Sequence, residues 1–467
     1  MAVAAANKSA ILNRLITRKA KQKALICQAG VAAGYLCAFG SYLQAQEAIR
    51  AFMGNEMAAA GRKQALTTLG YYNLRLWDSA WTLSSGLGIS YTDNVNPNVS
   101  TVGTSVDGGG DLYFTPSVTT RMHWPIATKH SLDLSLGVGY MAYVKHSELD
   151  RLFLNASPSI GDLFSFDLNI SDNLTINFHE RLSLPQYSYY AGASSDPSYS
   201  GYANTYALYN SAGASAVWSV NTVPLRAGYE HVNTLYLNSG NSYAPDSQQD
   251  MLYLSGGYEL KPQRIVGLET GMSILSYGQR PNTSMAYGNY QSGTQYTFGS
   301  FYNDHFTEHI SGGLHAGYMI FSSDMPVSSA VNSGGGGLYF MVSLSHQLNP
   351  HISQTLSGGR SSSLGMYGGN YSSYNASWSV NWNFVEKVTM STSVAYSISS
   401  PMTSQAGSTG DFSTRAVNVS LSRPIMKKLA STFAYTFSSR SGGYQNQINS
   451  LQSYTVNTLS LYFSYQF

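Results

Sequence analysis

The chain ends in Thr458-Leu-Ser-Leu-Tyr-Phe-Ser-Tyr-Gln-Phe467, and this stretch decides the fold. One set of alternate positions is apolar and consists of Leu459, Leu461, Phe463, Tyr465 and Phe467. The set between them carries Thr458, Ser460, Tyr462, Ser464 and Gln466. A period of two places the two sets on opposite faces of a β-strand, whereas a helical period of 3.6 would mix them. The stretch therefore predicts a strand with one apolar face and one hydrated face.

The aromatic residues of this strand resemble the signal that the bacterial barrel-assembly machinery reads. Phe463, Tyr465 and Phe467 are the residues that carry the resemblance. It implies a bacterial outer-membrane location, with outer-membrane lipid and the assembly machinery as partners. A buried edge strand of a soluble sheet is the alternative, because it would show similar alternation.

The same alternation recurs inside the chain. In Ser131–Tyr143 the leucines at 132, 134 and 136 alternate with Asp133, Ser135 and Gly137. In Asn375–Phe384 every second residue is again apolar, and the residues between are Ser or Asn. We therefore expect many strands that have one lipid-facing and one lumen-facing side.

Short polar turns alternate with long loops between these strands. Eight short turns are predicted, at Pro125–Lys129, Ser171–Asn173, Asn221–Thr222, Leu260–Ile265, Phe306–Ile310, Leu348–Ile352, Phe384–Val388 and Arg423–Lys428. Long stretches rich in Gly, Ser, Asn and Tyr are found at 92–110, 185–204, 278–295, 321–336, 359–372, 401–410 and 439–453. This alternation is typical of periplasmic turns and extracellular loops. With a first strand near Trp81–Tyr91 and a last one near Tyr454–Phe467, it predicts about 18 strands (16–18).

The composition supports a membrane barrel. Only 11% of the 467 residues are charged, while 36 are Tyr and 44 are Gly; soluble domains carry about 25% charged residues. After residue 45 there is no apolar run of the roughly 18 residues that a membrane helix needs. The predicted fold class is all-β: a transmembrane up-and-down antiparallel β-barrel.

The N-terminal region divides into two further segments. Residues 1–45 are predicted to be a signal peptide, because a basic region precedes the mostly apolar Ala24–Leu43. An uncleaved helical anchor is the alternative. Residues 46–76 contain helix formers such as Glu47–Phe52, and predict a short helical segment in the periplasm or, as a plug, in the lumen. The barrel itself is expected over residues 77–467.

Charge and cysteine content exclude several functions. Removing the six basic residues of 1–45 from 26 Lys and Arg leaves 20, against 24 Asp and Glu. The mature chain would be slightly acidic, so no nucleic-acid partner is expected. Both cysteines, Cys27 and Cys37, lie in the same segment, which excludes thiol catalysis and disulfides from the rest.

The end of the first strand resembles a family of uncharacterised outer-membrane β-barrel porins often found near bacterial exopolysaccharide genes. The resemblance rests on Tyr91-Thr-Asp-Asn-Val95 and on turns such as Leu348-Asn-Pro-His-Ile352. It covers about residues 77–467, and the long basic region at the N-terminus and residues 46–74 are not part of the pattern. It implies the fold, but no activity.

No catalytic or metal-binding motif stands out. Asp304, His305, Glu308 and His309 fall at a predicted turn, where polar side chains are best explained as solvated. His179 and His315 are predicted to face the lumen without a partner that the sequence identifies. We therefore expect no enzyme activity, no cofactor and no metal.

The predicted lumen has two different halves. In the first half, alternation points eight charged side chains inward: Arg121, Asp133, Asp167, Arg181, Arg226, Glu230, Glu259 and Glu269. In the second half the inward positions are mostly Ser, Thr, Asn and Gly. The charges are candidates for channel selectivity; the alternative is that they pair across strands and brace the wall.

These features predict a porin-like channel for passive passage of small polar solutes or glycans. If the lumenal charges select ions, neutralising Glu259 and Glu269 should shift selectivity toward anions. The alternative function is a non-conducting barrel that acts in surface binding, adhesion or structure through its extracellular loops. One sequence does not predict the oligomeric state.

Overall fold

The computed structural model describes residues 74–95, 109–127, 129–155, 162–184, 207–237, 246–278, 292–323, 334–364, 370–385, 387–401, 411–442 and 453–467. The predicted signal peptide and residues 46–73 of the predicted helical segment lie outside these ranges. The last three residues of that segment, Leu74–Leu76, form a short strand. Over the ranges given, the one helical element is a 3-10 turn at Ser147–Leu149. Within them, no helix is long and apolar enough to cross a membrane.

The described residues form twenty β-strands. In chain order these are β1 (Leu74–Leu76), β2 (Ser79–Thr92), β3 (Asp111–Ile126), β4 (His130–Tyr143), β5 (Arg151–Leu154), β6 (Phe164–Ser171), β7 (Leu174–Ser183), β8 (Ala207–Val220), β9 (Val223–Tyr236), β10 (Ser247–Lys261), β11 (Arg264–Tyr277), β12 (Gly293–Thr307), β13 (Ile310–Ser323), β14 (Gly334–Asn349), β15 (Ile352–Leu364), β16 (Asn370–Val385), β17 (Val388–Pro401), β18 (Phe412–Pro424), β19 (Leu429–Gly442) and β20 (Tyr454–Gln466).

Eighteen of these strands make a closed antiparallel barrel, as the sequence predicts. All strands except β1 and β5 take part; each pairs with its neighbours along the chain, and β2 pairs with β20 to close the sheet. The short strand β5 pairs with β4 beyond the end of β6, so β4 has two successive partners on that side. Strand β1 folds back on the start of β2.

The alternation in sequence becomes a division between the outside and the inside of the barrel. On β4, the side chains of Leu136, Val138 and Tyr140 are exposed on the outer face, and Gly137 and Gly139 between them are buried. A barrel satisfies every backbone hydrogen bond within itself, so its apolar outer face can lie in lipid. The fold is therefore an outer-membrane-type transmembrane β-barrel.

Aromatic residues mark the two edges of the apolar band. Trp81 and Tyr91 on β2 are ten residues apart, as are Trp124 and Phe114 on the adjacent strand. At about 3.3 Å per residue and a tilt of about 40°, ten residues rise about 25 Å. This height matches the hydrocarbon band of an outer-membrane barrel.

All eight predicted short turns are present. The turn between β8 and β9 has two residues, and Asn221 takes a φ of 54°, as a tight hairpin requires. Strands β12 and β13 form a hairpin, because they pair across the predicted turn at Glu308 and His309. Two further connections, at 144–163 and 237–246, were not among the predicted long loops.

Candidate lumenal site

Strand pairing places all eight predicted charged residues on the inward face. Thr82 lies opposite Arg121, His123 opposite Asp133 and Ser131 opposite Asp167, all on inward positions. The inward rows of β7–β11 contain the other five, which are Arg181, Arg226, Glu230, Glu259 and Glu269. A role of these residues in ion selectivity stays a prediction.

Each of the five carboxylates predicted to face inward accepts a hydrogen bond from the barrel wall or from the adjoining turn. Four receive side-chain bonds: Asp133 from His123 Nδ1 at 2.8 Å, Asp167 from Asn177 Nδ2 at 2.7 Å, Glu230 from Ser211, and Glu269 from two donors. Glu259 accepts the backbone N–H of Gln263 at 3.0 Å, across the β10–β11 turn. These bonds fit the bracing alternative for the charged half, because a carboxylate held by the wall is less available to passing ions.

The inward arginines also have partners. Arg181 Nη2 donates to Asp162 Oδ1 at 3.0 Å, and the arginine side chain is half-exposed. Arg121 is exposed to the lumen and Arg226 is partly exposed. Arginines in such positions can contact solutes while they remain anchored to the wall.

A buried polar cluster lies at mid-height on β11–β14 and consists of Glu269, His315 and Tyr339. Tyr339 Oη donates to Glu269 Oε1 at 2.6 Å, and His315 Nδ1 lies 2.8 Å from Oε2 of the same carboxylate. The His315 ring stacks on Phe301 with centroids 5.6 Å apart. His315 is 2% exposed and Tyr339 is also 2% exposed, so the cluster holds strands together and is not open to solute.

Two glycines make the contact between Tyr339 and Glu269 possible. Glu269, Gly299, Gly317 and Tyr339 lie in one row across four adjacent strands. Tyr339 lies flat over both glycines: a Cβ on Gly317 would be 2.6 Å from the tyrosine ring. Because neither glycine has a side chain, the tyrosine spans two strands and reaches the carboxylate on the third.

The other half of the lumen is almost neutral. On the described residues of β14–β20, Arg440 is the one charged side chain on the inward face, and it is buried against Phe412. The predicted hydroxyl and amide residues all lie inward: Ser343, Ser345, Ser353, Thr355, Ser377, Ser379, Thr389, Ser391, Ser393, Asn418 and Ser420. Many bond to each other across strands, as Ser357 does to Ser377 at 2.6 Å and Asn381 to Ser391 at 2.7 Å.

The exposure of the inward side chains differs between the two ends of the lumen. Near the extracellular ends of the strands, inward side chains such as Tyr113, Met141, Met251 and Met319 are at most 1% exposed. They belong to apolar clusters on the inward face. At mid-height and below, inward residues such as Ser379 are partly exposed. The exposed part of the lining therefore lies at mid-height and toward the periplasmic end of the lumen.

The C-terminal aromatic residues face outward, opposite the lumen. Phe463 lies beside Leu87 of β2, and the rings of Tyr465 and Phe467 meet edge to face at 5.2 Å. The Phe467 N–H donates to the carbonyl of Leu83 at 3.1 Å, at the seam that closes the barrel. Recognition by the assembly machinery stays a prediction.

The histidines and acids near residues 304–309 do not come together as a site. Asp304 faces outward and accepts hydrogen bonds from Arg264 and Tyr302. In the part of the chain that the structure describes, no group of three or more His, Cys, Asp or Glu could hold a metal ion. His179, like His315, has a partner: its Nδ1 lies 3.0 Å from Asn177 Oδ1.

No family model and no curated protein matches this chain. Several solved outer-membrane proteins align with it at low similarity. Pseudomonas aeruginosa OccK2 (OpdF) in complex with glucuronate is 12% identical, with 84% of this chain and 99% of that chain covered and a TM-score of 0.43. Acinetobacter baumannii OccAB4 is 10% identical, with 83% and 98% covered and a TM-score of 0.42. A loop-deletion mutant of Vibrio cholerae OmpT is 9% identical, with 84% and 100% covered and a TM-score of 0.36. The fold assignment rests on the strand pairing of this chain alone.

Proposed function

We propose that this outer-membrane-type β-barrel is a porin-like channel through which small uncharged polar solutes, sugars among them, diffuse passively. The observation that carries the proposal is the lining of β14–β20. It offers rows of hydroxyl and amide groups and, among described residues, a single inward charge that is itself buried. Barrels of 16–18 strands are wide enough for an aqueous channel.

Hydroxyl and amide groups both donate and accept hydrogen bonds, so they can replace the water that a polyol gives up in the pore. The bonds that these groups make to each other keep the lining fixed, as between Thr389 and Asn383 at 2.7 Å. Charged solutes gain little binding energy from the neutral lining of β14–β20. On the opposite side the carboxylates are already bonded within the wall. The expected mechanism is size exclusion with weak charge selection and no catalysis.

A second function is favoured by the buried apolar inward face near the extracellular ends. If that end of the lumen is closed, the barrel would not conduct, and it would act through its extracellular loops in surface binding, adhesion or structure. The apolar clusters around Tyr113 and Met319 are the features that support this alternative.

The deciding experiment is conductance of the refolded full chain in a planar bilayer, combined with liposome swelling. We expect steady openings, and faster swelling with a neutral sugar than with the uronic acid or amino sugar of similar size. Ser379→Asp, which places a charge on the neutral lining, should change ion selectivity, while Ser379→Asn, which keeps the same position neutral, is the matched control. A folded barrel that neither conducts nor admits sugars would overturn the channel and support the loop-based function.

A further inference from the structure

One sector of the outer surface is polar where lipid contact demands apolar side chains. On β7–β10 seven polar residues point outward and form what we term the polar face: Glu180, Asn210, Tyr229, His231, Asn233, Gln248 and Asp250. Asn210 lies opposite Asn233, which lies opposite Gln248, and His231 lies opposite Asp250. The residues are therefore contiguous across four strands.

Apolar outward side chains flank the polar face on both sides. Toward the extracellular ends lie Leu235 and Leu237, which are 44% and 47% exposed. Toward the periplasm lie Leu225 and Leu252, also exposed. Ionisable residues at membrane depth normally face the protein interior, a cavity or a partner. Glu180 and Asp250 therefore lie on a surface that lipid tails alone do not suit.

The polar face is partly bonded within itself and keeps groups for a partner. Asn210 Nδ2 donates to Glu180 Oε1 at 3.0 Å, and Tyr229 Oη and His231 Nδ1 both bond Asp250 Oδ1, at 2.6 and 2.8 Å. Over the described residues, the side chains of Asn233 and Gln248 make no hydrogen bond. An amide carries both donors and acceptors, so such a face can complement itself.

Small residues adjoin the polar face and flatten the surface beside it. Three successive outward positions of β8 are Ala212, Ala214 and Ala216, and Ala227 on β9 lies opposite Ala216. On β4 the corresponding outward run is Leu134, Leu136, Val138 and Tyr140. Small residues let two membrane-spanning surfaces approach closely, and polar side chains then bond across the contact.

We propose that the polar face and its alanines are the interface of a homodimer, in which the same face of a second copy packs across a two-fold axis along the membrane normal. Two copies inserted in the same direction hold their polar faces at equal depth, so amide meets amide and apolar flank meets apolar flank. The two carboxylates disfavour an anionic lipid headgroup as the occupant.

The area is sufficient for a stable contact. With its leucine flanks, the contact covers four strands spaced about 4.8 Å apart and about ten residues long, which give a face of about 600 Å². Two copies would bury about 1,200 Å², the lower limit for specific interfaces. This proposal does not depend on whether the barrel conducts.

The test is cross-linking of single-cysteine variants in intact outer membranes. The full chain with Cys27→Ser and Cys37→Ser provides the background. Asn233→Cys lies at the centre of the proposed interface, and Thr392→Cys, outward on β17, lies on the far side of the barrel. We expect a short bismaleimide to give a dimer from Asn233→Cys and only monomer from Thr392→Cys.

A second measurement, the mass of the purified protein, tests whether the polar groups hold the dimer together. The purified wild-type protein should have the mass of a dimer. The double variant Asn210→Leu and Asn233→Leu should be a monomer that still shows the heat-modifiable migration of a folded barrel. Thr392→Leu should stay dimeric. A monomeric wild type, equal cross-linking at both positions, or none at either would overturn the proposal. A dimer that dissociates when divalent cations are chelated would also overturn it and assign the face to a cation-bridged lipid.

Discussion

The hydrogen bond between Tyr339 and Glu269 should be among the strongest side-chain contacts in the barrel wall. Its oxygens are 2.6 Å apart, and both residues are buried. A hydrogen bond to a charged group contributes about 1.5–3 kcal/mol. A buried acceptor that loses its donor is left unsatisfied, and this adds the cost of keeping a polar group away from water. We therefore expect Tyr339→Phe to lower the free energy of unfolding by about 2 kcal/mol.

The matched control is Tyr462→Phe. Tyr462 also faces inward and lies over a glycine, Gly86, but among the described residues its hydroxyl meets only Ser117 Oγ, at 3.3 Å, and the residue is partly exposed. Removing a neutral, hydrated hydroxyl should cost about 0.5–1 kcal/mol. The measurement is equilibrium unfolding in urea of barrels refolded into lipid vesicles, followed by tryptophan fluorescence. Equal losses in the two variants, or a loss below about 0.5 kcal/mol for Tyr339→Phe, would refute the argument from the buried carboxylate.

Three further outcomes are expected. Gly317→Ala should destabilise the barrel by about 1–3 kcal/mol in the same titration, because the added Cβ would lie 2.6 Å from Gly299 Cα. Gly271→Ala should cost clearly less, because the atom nearest to the added Cβ would be 3.6 Å away. Equal costs would contradict the close approach of the strands at Gly317. Glu269→Gln should leave the reversal potential in a salt gradient nearly unchanged, because that carboxylate is buried within the wall. Glu259→Gln should shift it slightly toward anions, because the Glu259 carboxylate is partly exposed. Equal shifts in the two variants would contradict this difference in exposure. Phe467→Ala should reduce the folded fraction recovered from outer membranes, and Phe433→Ala, outward on β19, should reduce it less; equal recovery would count against a special role of the C-terminal residue.

The strands, their number and the direction of each side chain could be predicted from the sequence, because each depends on local patterns. Alternation is a property of single strands, and the short turns fix the register of each hairpin. The positions opposite each other in β12 and β13, such as Gly299 and Gly317, follow from counting across the turn at Glu308 and His309.

The Glu269 cluster could not be predicted in this way. Glu269 and His315 are separated by 46 positions, and the connection between β11 and β12 is a long loop. A long loop sets no register, so Tyr339 could not be assigned to the row of Glu269. One signal was available: a tyrosine at an inward position, on a barrel wall that also has inward glycines, indicates a ring lying flat across neighbouring strands.

The pairing of the inward charges changes how the lumen should select solutes. Asp133, Asp167 and Glu230 each accept a hydrogen bond from a neighbour in the wall, which fixes the position of the carboxylate. Among the described residues, the neutral half has one inward charge, the buried Arg440, to face them across the pore. Arg121 and Arg226, on the same half as the carboxylates, are exposed or partly exposed, so the wall carries charges of both signs. Such a lining would discriminate solutes first by size and hydrogen bonding, and only second by charge.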